Sequence, residues 1–155
     1  MVARVQPPER GEISASGLVP ASPERVFAFL CDLENHWLLA DRFVEVLNLD
    51  GAATGAASGG KVRVRGPLGL GRTATTQVVA TEPTRSMVGT AALSGGTQAV
   101  VRWTLTPEEG DTRVELAAHL QQAGLLDRLL LAAGGRRWVR RRFASILATL
   151  AKRFS

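Results

Sequence analysis

Residue types that catalytic and metal sites depend on are scarce in this chain of 155 residues. It contains one cysteine, Cys31, two histidines, His36 and His119, and no tyrosine. A single cysteine excludes an internal disulfide framework, so we predict a cytoplasmic protein in which Cys31 is a buried structural thiol. The two histidines are far apart in the sequence and neither lies near a serine motif, which argues against a metal site and a nucleophilic triad. The sequence therefore predicts no metal and assigns no catalytic residue.

Long apolar runs are also missing. The nearest candidate, residues 125–133, is interrupted by two charged residues, whereas a membrane span needs about 20 apolar residues. The glycine-rich stretch 66–71 lacks the lysine and the following helix of a phosphate-binding loop, so no cofactor is predicted. The first residues carry prolines and scattered charges rather than a signal-peptide core. We expect residues 1–10 to be a disordered tail and residues 11–155 to form a single domain.

The positive charge of the chain is concentrated near its end. The formal net charge is +5, and the last twenty residues hold Arg136, Arg137, Arg140, Arg141, Arg142, Lys152 and Arg153. Such a cluster is typical of a solvated helix face, but it also fits an anionic membrane surface or an acidic ligand. Nucleic-acid binding is not favoured, because we expect Trp138 to be the one exposed aromatic residue among these cations that could stack on bases.

Two short helices are predicted directly after the first strand. Ser22 is a preferred N-cap residue, and Pro23 at the first helical position loses no hydrogen bond. Asp32 predicts the cap of a second short helix that carries His36 and Trp37. These two residues fall in the link to the second strand, where we expect the mouth of a cavity.

Seven strand-like segments account for most of the remaining chain. They are separated by turn signals and cover residues 13–19, 43–49, 61–65, 72–81, 86–93, 98–106 and 112–120. Strands joined by short links are antiparallel neighbours. In the last two strands, alternation predicts an inward set of Val101, Trp103, Leu105, Val114, Leu116, Ala118 and Leu120. The same alternation places Arg102, Arg113, Glu115 and His119 on the outer face.

A long C-terminal helix is predicted from about residue 124 to residue 153. Its apolar stripe consists of Leu125, Leu129, Ala132, Val139, Phe143, Ile146 and Leu150. Gly134 and Gly135 interrupt the helix, which predicts either a kink or a close approach to another backbone. Arg136 continues the stripe, so we expect its stem to pack toward the sheet and its head to reach the cavity entrance.

A curved sheet around one helix leaves an apolar cavity between them. We predict that large side chains from different elements line this cavity, namely Trp37, Phe43, Met87, Trp103, Leu116, Leu129 and Phe143. The alternative for each of them is an ordinary place in the packed core. His36 and Arg136 are the predicted entrance residues.

Five sequence segments resemble the START-like (SRPBCC) superfamily, which includes polyketide cyclase/dehydratase and lipid-transport proteins. They are ISAS (13–16), PASPERVF (20–27), DLENHW (32–37), WTLTP (103–107) and GDTRV (110–114). The resemblance implies a helix-grip fold: a seven-stranded antiparallel sheet wrapped around a long C-terminal helix, with two short helices after the first strand. It also implies an apolar ligand, and in some members cyclisation or dehydration in the cavity.

Three functions remain open at this stage. The first is binding of a hydrophobic small molecule such as a lipid or a polyketide. The second is a cyclase/dehydratase-like enzyme, for which His36, Arg65 or Glu45 would have to move protons; the absence of tyrosine argues against it. The third is a module that docks to an anionic membrane through the basic C-terminal helix.

Overall fold

The structure is a computed structural model that describes residues 12–32, 35, 38–39, 44–50, 59–65 and 71–155. The predicted tail, residues 1–10, lies outside the described residues. So does most of the second predicted short helix, including His36 and Trp37.

The described chain forms one antiparallel sheet followed by a helical C-terminal segment. Its elements are β1 (Ile13–Val19), α1 (Pro23–Cys31), β2 (Val44–Asp50), β3 (Gly59–Arg65), β4 (Gly71–Glu82), β5 (Ser86–Leu93), β6 (Thr97–Glu108), β7 (Asp111–Gln122), α2 (Leu125–Leu130) and α3 (Arg136–Arg153). The seven strands are ordered β1-β7-β6-β5-β4-β3-β2, so that β1 and β2 form the two edges. This arrangement confirms the predicted seven-stranded sheet with a helix after the first strand and helices at the end of the chain.

The register across the middle of the sheet brings the predicted inward residues together. Met87 on β5 lies opposite Trp103 on β6, and Trp103 lies opposite Leu116 on β7. Their outward neighbours Arg102 and Glu115 are exposed. The alternation of apolar and polar residues therefore gave the correct face for both strands.

The first helix begins as its sequence predicts. The Ser22 hydroxyl accepts a hydrogen bond from the backbone N–H of Arg25 at 3.4 Å, and Pro23 occupies the first turn. Val26 and Leu30 on the inner side of α1 are buried in the core. The helix thus closes one end of the space above β6 and β7.

The predicted C-terminal helix extends over residues 125–153 and is kinked between α2 and α3, as Gly134 and Gly135 predict. Ala133 and Gly134 leave helical geometry, and Gly134 has a φ of 102° that an L side chain rarely adopts. A Cβ atom on Gly135 would lie 2.6 Å from the carbonyl oxygen of Leu130. Both glycines are therefore needed, Gly134 for the kink and Gly135 for the close approach of the two backbone segments.

The core lies between β1, β6 and β7 on one side and α1 and α3 on the other. Val19, Val114 and Leu150 are completely buried there, and Leu30 is 1% exposed. Because α3 packs mainly on β1, the second half of the C-terminal segment is the half that completes the core.

Candidate functional site

An apolar cavity of about 360 Å³ lies between the concave face of the sheet and the C-terminal helices. Its walls come from all seven strands and from α2, the kink and α3. Apolar side chains form most of the lining, for example Val64, Val78, Val101, Leu120, Leu131 and Val139. The volume falls within the range of about 300–1,000 Å³ that is typical of small-molecule sites.

Four of the predicted cavity residues line this cavity. Met87, Trp103 and Leu116 form its floor and are only 2–4% exposed, while Phe143 lines it from α3 and is half-buried. The first three also belong to the hydrophobic core, so core and cavity wall are the same layer of side chains here. Trp37 and Phe43 lie outside the described residues.

Leu129 does not line the cavity as predicted. Its side chain is 61% exposed, whereas Asp127 and Leu130 of the same helix face the cavity. The kink is the physical reason. It changes the direction of the chain after α2, so the apolar stripe on α3 does not continue onto the same side of α2.

Arg136 does not reach the cavity entrance either. It is exposed and does not line the cavity, and His36, the other predicted entrance residue, lies outside the described residues. Because α3 begins at Arg136 after the kink, the side of α3 that faces the cavity is determined by the residues after the kink and not by the stripe on α2. Arg142 is the arginine of this segment that lines the cavity.

Arg142 is held against an aromatic ring at the cavity wall. Its guanidinium carbon lies 5.0 Å from the centre of the Trp138 ring, and both residues line the cavity. Cation–π contacts of this kind fix the plane of the guanidinium group. The sequence could have predicted that Arg142 lies on the cavity side of α3. The spacing of one helix face is shared by Trp138, Val139, Arg142, Phe143 and Ile146.

A second polar group, the Arg72–Asp127–Thr97 cluster, lines the cavity beneath α2. Arg72 donates to one carboxylate oxygen of Asp127 and the Thr97 hydroxyl donates to the other. Arg72 also donates to the carbonyl oxygen of Ser94, and Thr97 accepts from the N–H of Gly124 at 3.0 Å. Sequence reasoning missed this cluster, because its members are distant in the chain and no local motif connects them.

The cluster fastens α2 to the sheet. Both charged side chains are 13% exposed, so the ion pair is largely shielded from water. The carboxylate of Asp127 already has a donor on each oxygen, which suits a structural contact better than proton transfer. The Arg72–Asp127–Thr97 cluster therefore connects α2 to β4 and to the turn between β5 and β6.

The other candidate catalytic residues lie away from the cavity. Glu45 is exposed and forms an ion pair with Arg63 at 3.7 Å, and Arg65 is exposed as well. Partial burial raises the pKa of the Cys31 thiol, which disfavours the reactive thiolate. Within the described ranges, no three His, Cys, Asp or Glu side chains are grouped so that they could hold a metal ion.

Of the helices that the structure describes, none is both long enough and apolar enough to cross a bilayer.

Comparison with known proteins agrees with this architecture. The family profile described as polyketide cyclase/dehydrase and lipid transport matches residues 10–155. TTHA0849 from Thermus thermophilus is similar in structure, with a TM-score of 0.67 and 20% identity over 92% of this chain and 96% of that one. CV1439 from Chromobacterium violaceum has a TM-score of 0.67 and 17% identity over 93% and 97% of the two chains.

A START superfamily protein from Mycobacterium smegmatis is also similar, with a TM-score of 0.66 and 14% identity over 92% and 96% of the two chains. At these identities the likeness shows the fold, which is the helix-grip fold of the START proteins. No curated protein matches the sequence. The family match covers nearly the whole sequence, and the chain therefore belongs to the polyketide cyclase/dehydrase and lipid transport family.

Proposed function

We propose that the protein binds a hydrophobic small molecule, such as a lipid or a polyketide, within a single domain of residues 11–155. The observation that carries this proposal is the apolar cavity of about 360 Å³ between the sheet and the C-terminal helices. Each Å² of apolar ligand surface that enters such a cavity stabilises the complex by about 25 cal/mol. Family membership supports the same class of ligand.

The cavity favours a ligand that carries an acidic group. Arg142 lines the wall beside Trp138, and a guanidinium group can bind a carboxylate through two parallel hydrogen bonds. Arg142 thus takes the role that the sequence assigned to Arg136. A fatty-acid-like molecule would bury its chain among the apolar side chains and direct its carboxylate to Arg142.

Native mass spectrometry of protein purified from its own cells tests the binding. Ala91 lines the cavity, whereas the next residue, Ala92, is exposed on the other face of β5. We expect wild-type protein and Ala92→Trp to carry a bound small molecule and Ala91→Trp, which takes up part of the cavity, to carry much less of it. Wild-type protein that carries no ligand and is not stabilised by any member of a lipid and polyketide panel would overturn the proposal.

The acidic-group preference has its own matched pair of variants. Arg142→Gln should weaken binding of a carboxylated ligand about tenfold more than binding of its neutral alcohol. Arg141, the exposed neighbour, provides the control Arg141→Gln with the same loss of charge. Equal effects of the two substitutions would mean that only the general positive charge matters.

A cyclase/dehydratase-like enzyme is the second candidate function. It is favoured by the family description and by the presence of three ionisable side chains, Arg72, Asp127 and Arg142, along the cavity. Against it stands the Asp127 carboxylate, which already accepts from Arg72 and Thr97. Chromatography and mass spectrometry of a polyketide panel after incubation with the protein distinguish the two candidates. A binder returns each compound unchanged, whereas an enzyme returns either a cyclised isomer of the same mass or a product that has lost water.

A further inference from the structure

The solvent side of α2 is apolar, which is unusual for a helix at a protein surface. Leu125, Leu126 and Leu129 are 76%, 50% and 61% exposed. The opposite side of α2, with Asp127 and Leu130, already lines the cavity. Contiguous exposed apolar side chains mark sites of interaction, so the outer side of α2 has the character of a docking surface.

Apart from one acid that is already paired, the charges that follow these leucines in the sequence are positive. From Gly124 to the last residue the sequence contains a single acid, Asp127, together with seven arginines and one lysine. That acid is bound by Arg72 on the cavity side. Arg128 on α2 and Arg136 and Arg137 at the start of α3 are exposed. The surface that would cover the leucines must therefore be negatively charged and must accept apolar side chains.

We propose that α2 and the start of α3 dock on an anionic lipid bilayer. The docking face consists of Leu125, Leu126, Leu129, Arg128, Arg136 and Arg137. Its leucines enter the boundary between headgroups and acyl chains, and its arginines contact the lipid phosphates. An anionic bilayer supplies both the charge and the apolar depth that this face requires.

The size of α2 favours a bilayer over a protein partner. Six residues of helix are about 9 Å long. One side of so short a helix offers far less area than the roughly 800 Å² per partner that a stable protein interface buries. A bilayer needs no complementary shape, because leucine side chains enter it one by one. Electrostatic attraction and apolar insertion then act together.

Docking through this face would bring the cavity next to the source of its ligand. The residues on the inner side of α2 belong to the cavity wall, so the bilayer would contact the outer surface of that wall. This consequence for ligand loading rests on the proposed function, whereas the docking itself does not.

Co-sedimentation of the full chain with vesicles tests the proposal. The probes are phosphatidylcholine vesicles and vesicles in which about a third of the lipid is phosphatidylglycerol. We expect wild-type protein to bind the anionic vesicles at least tenfold more strongly than the neutral ones, and added salt to weaken that binding. Absence of binding to anionic vesicles at low salt would overturn the proposal.

Two sets of variants separate the docking face from general charge. The triple variant Leu125→Ser, Leu126→Ser, Leu129→Ser should lose about tenfold in anionic-vesicle binding, and Arg136→Gln with Arg137→Gln should lose several-fold. The matched control Arg63→Gln with Arg65→Gln removes the same charge from β3, where both arginines are exposed, and should bind as wild type does. An unaffected leucine variant, or an equal loss in the β3 control, would contradict the proposal.

The variant Ala91→Trp keeps the two proposals distinguishable. Ala91→Trp removes cavity space without changing the docking face, so it should bind anionic vesicles as strongly as wild-type protein. If wild-type protein carries a ligand but does not bind vesicles, the docking proposal fails and the proposed function stands. If wild-type protein binds vesicles but carries no ligand, the proposed function fails and the docking proposal stands.

Discussion

The two helices of the C-terminal segment both carry several leucines, but those leucines have opposite surroundings. On α3, Ile146, Leu147 and Leu150 are buried and complete the core against β1. On α2, none of the residues is fully buried, and three of its leucines face solvent. Polar contacts from Asp127 hold α2 in place, whereas apolar packing holds α3.

This difference shows that an apolar residue in a helical pattern does not by itself identify the core. Leu129 and Leu150 both belong to the stripe that the sequence predicts, and their exposed fractions are 61% and 0%. The kink at Gly134 separates the two outcomes, because it ends the phase relation along the stripe. We infer that α3 contributes more to the stability of the fold than α2, which covers one side of the cavity.

The largest expected effect is that of Leu150→Ala. Removal of a completely buried leucine loses its apolar burial and leaves a cavity, which should lower the free energy of unfolding by about 3–4 kcal/mol. Urea denaturation followed by circular dichroism measures it. A loss below about 1 kcal/mol would mean that α3 is not the part of the segment that holds the fold together.

An intermediate effect is expected for Asp127→Asn. The substitution removes the ion pair with Arg72 and should lower the free energy of unfolding by about 1–2 kcal/mol. Hydrogen exchange should accelerate for the amides of α2 and stay unchanged for those of α3. The control Glu115→Gln changes an exposed carboxylate on the outer face of β7. Equal acceleration in both helices would show that they open as one unit.

The smallest effect is expected for Leu129→Ala, which makes the same change as Leu150→Ala on the other helix. Because Leu129 is mostly exposed, the free energy of unfolding should change by less than about 0.5 kcal/mol. The same urea titration measures both variants. A loss comparable to that of Leu150→Ala would remove the contrast between the two helices.

Local patterns were sufficient to predict most of the fold. The Ser22–Pro23 start of α1 depends on neighbouring residues alone, and so does the alternation that directs Trp103 and Leu116 inward. The order from β2 to β7 also follows from short connections, since hairpin neighbours pair with each other, whereas the pairing of β1 with β7 is a long-range contact. Each of these features is decided within a few residues, where sequence reasoning is strongest.

The candidate site was less accessible to sequence reasoning. The Arg72–Asp127–Thr97 cluster joins residues from three elements, and only the three-dimensional structure brings them together. The sequence predicted that Arg136 reaches the cavity, but Arg142 lines it, and this error has a different cause. A left-handed residue at Gly134 shifts the helix phase, and the sequence indicated a break without indicating its angle. When the direction of a kink is unknown, residues before and after it cannot be assigned to the same helix face from the sequence.

The position of β1 at the edge of the sheet has a consequence for the order of folding. Ile13 near the start of the chain pairs with Ala118 near its end, and α3, which packs on β1, is made later still. During synthesis β1 and α1 therefore leave the ribosome first and find their partners last. The hairpins from β4 to β7 need only local contacts and can form earlier. Until β6 and β7 are complete, the apolar side of α1 lacks the strands that it packs against. Exposed apolar surface of this kind makes a nascent chain prone to aggregate.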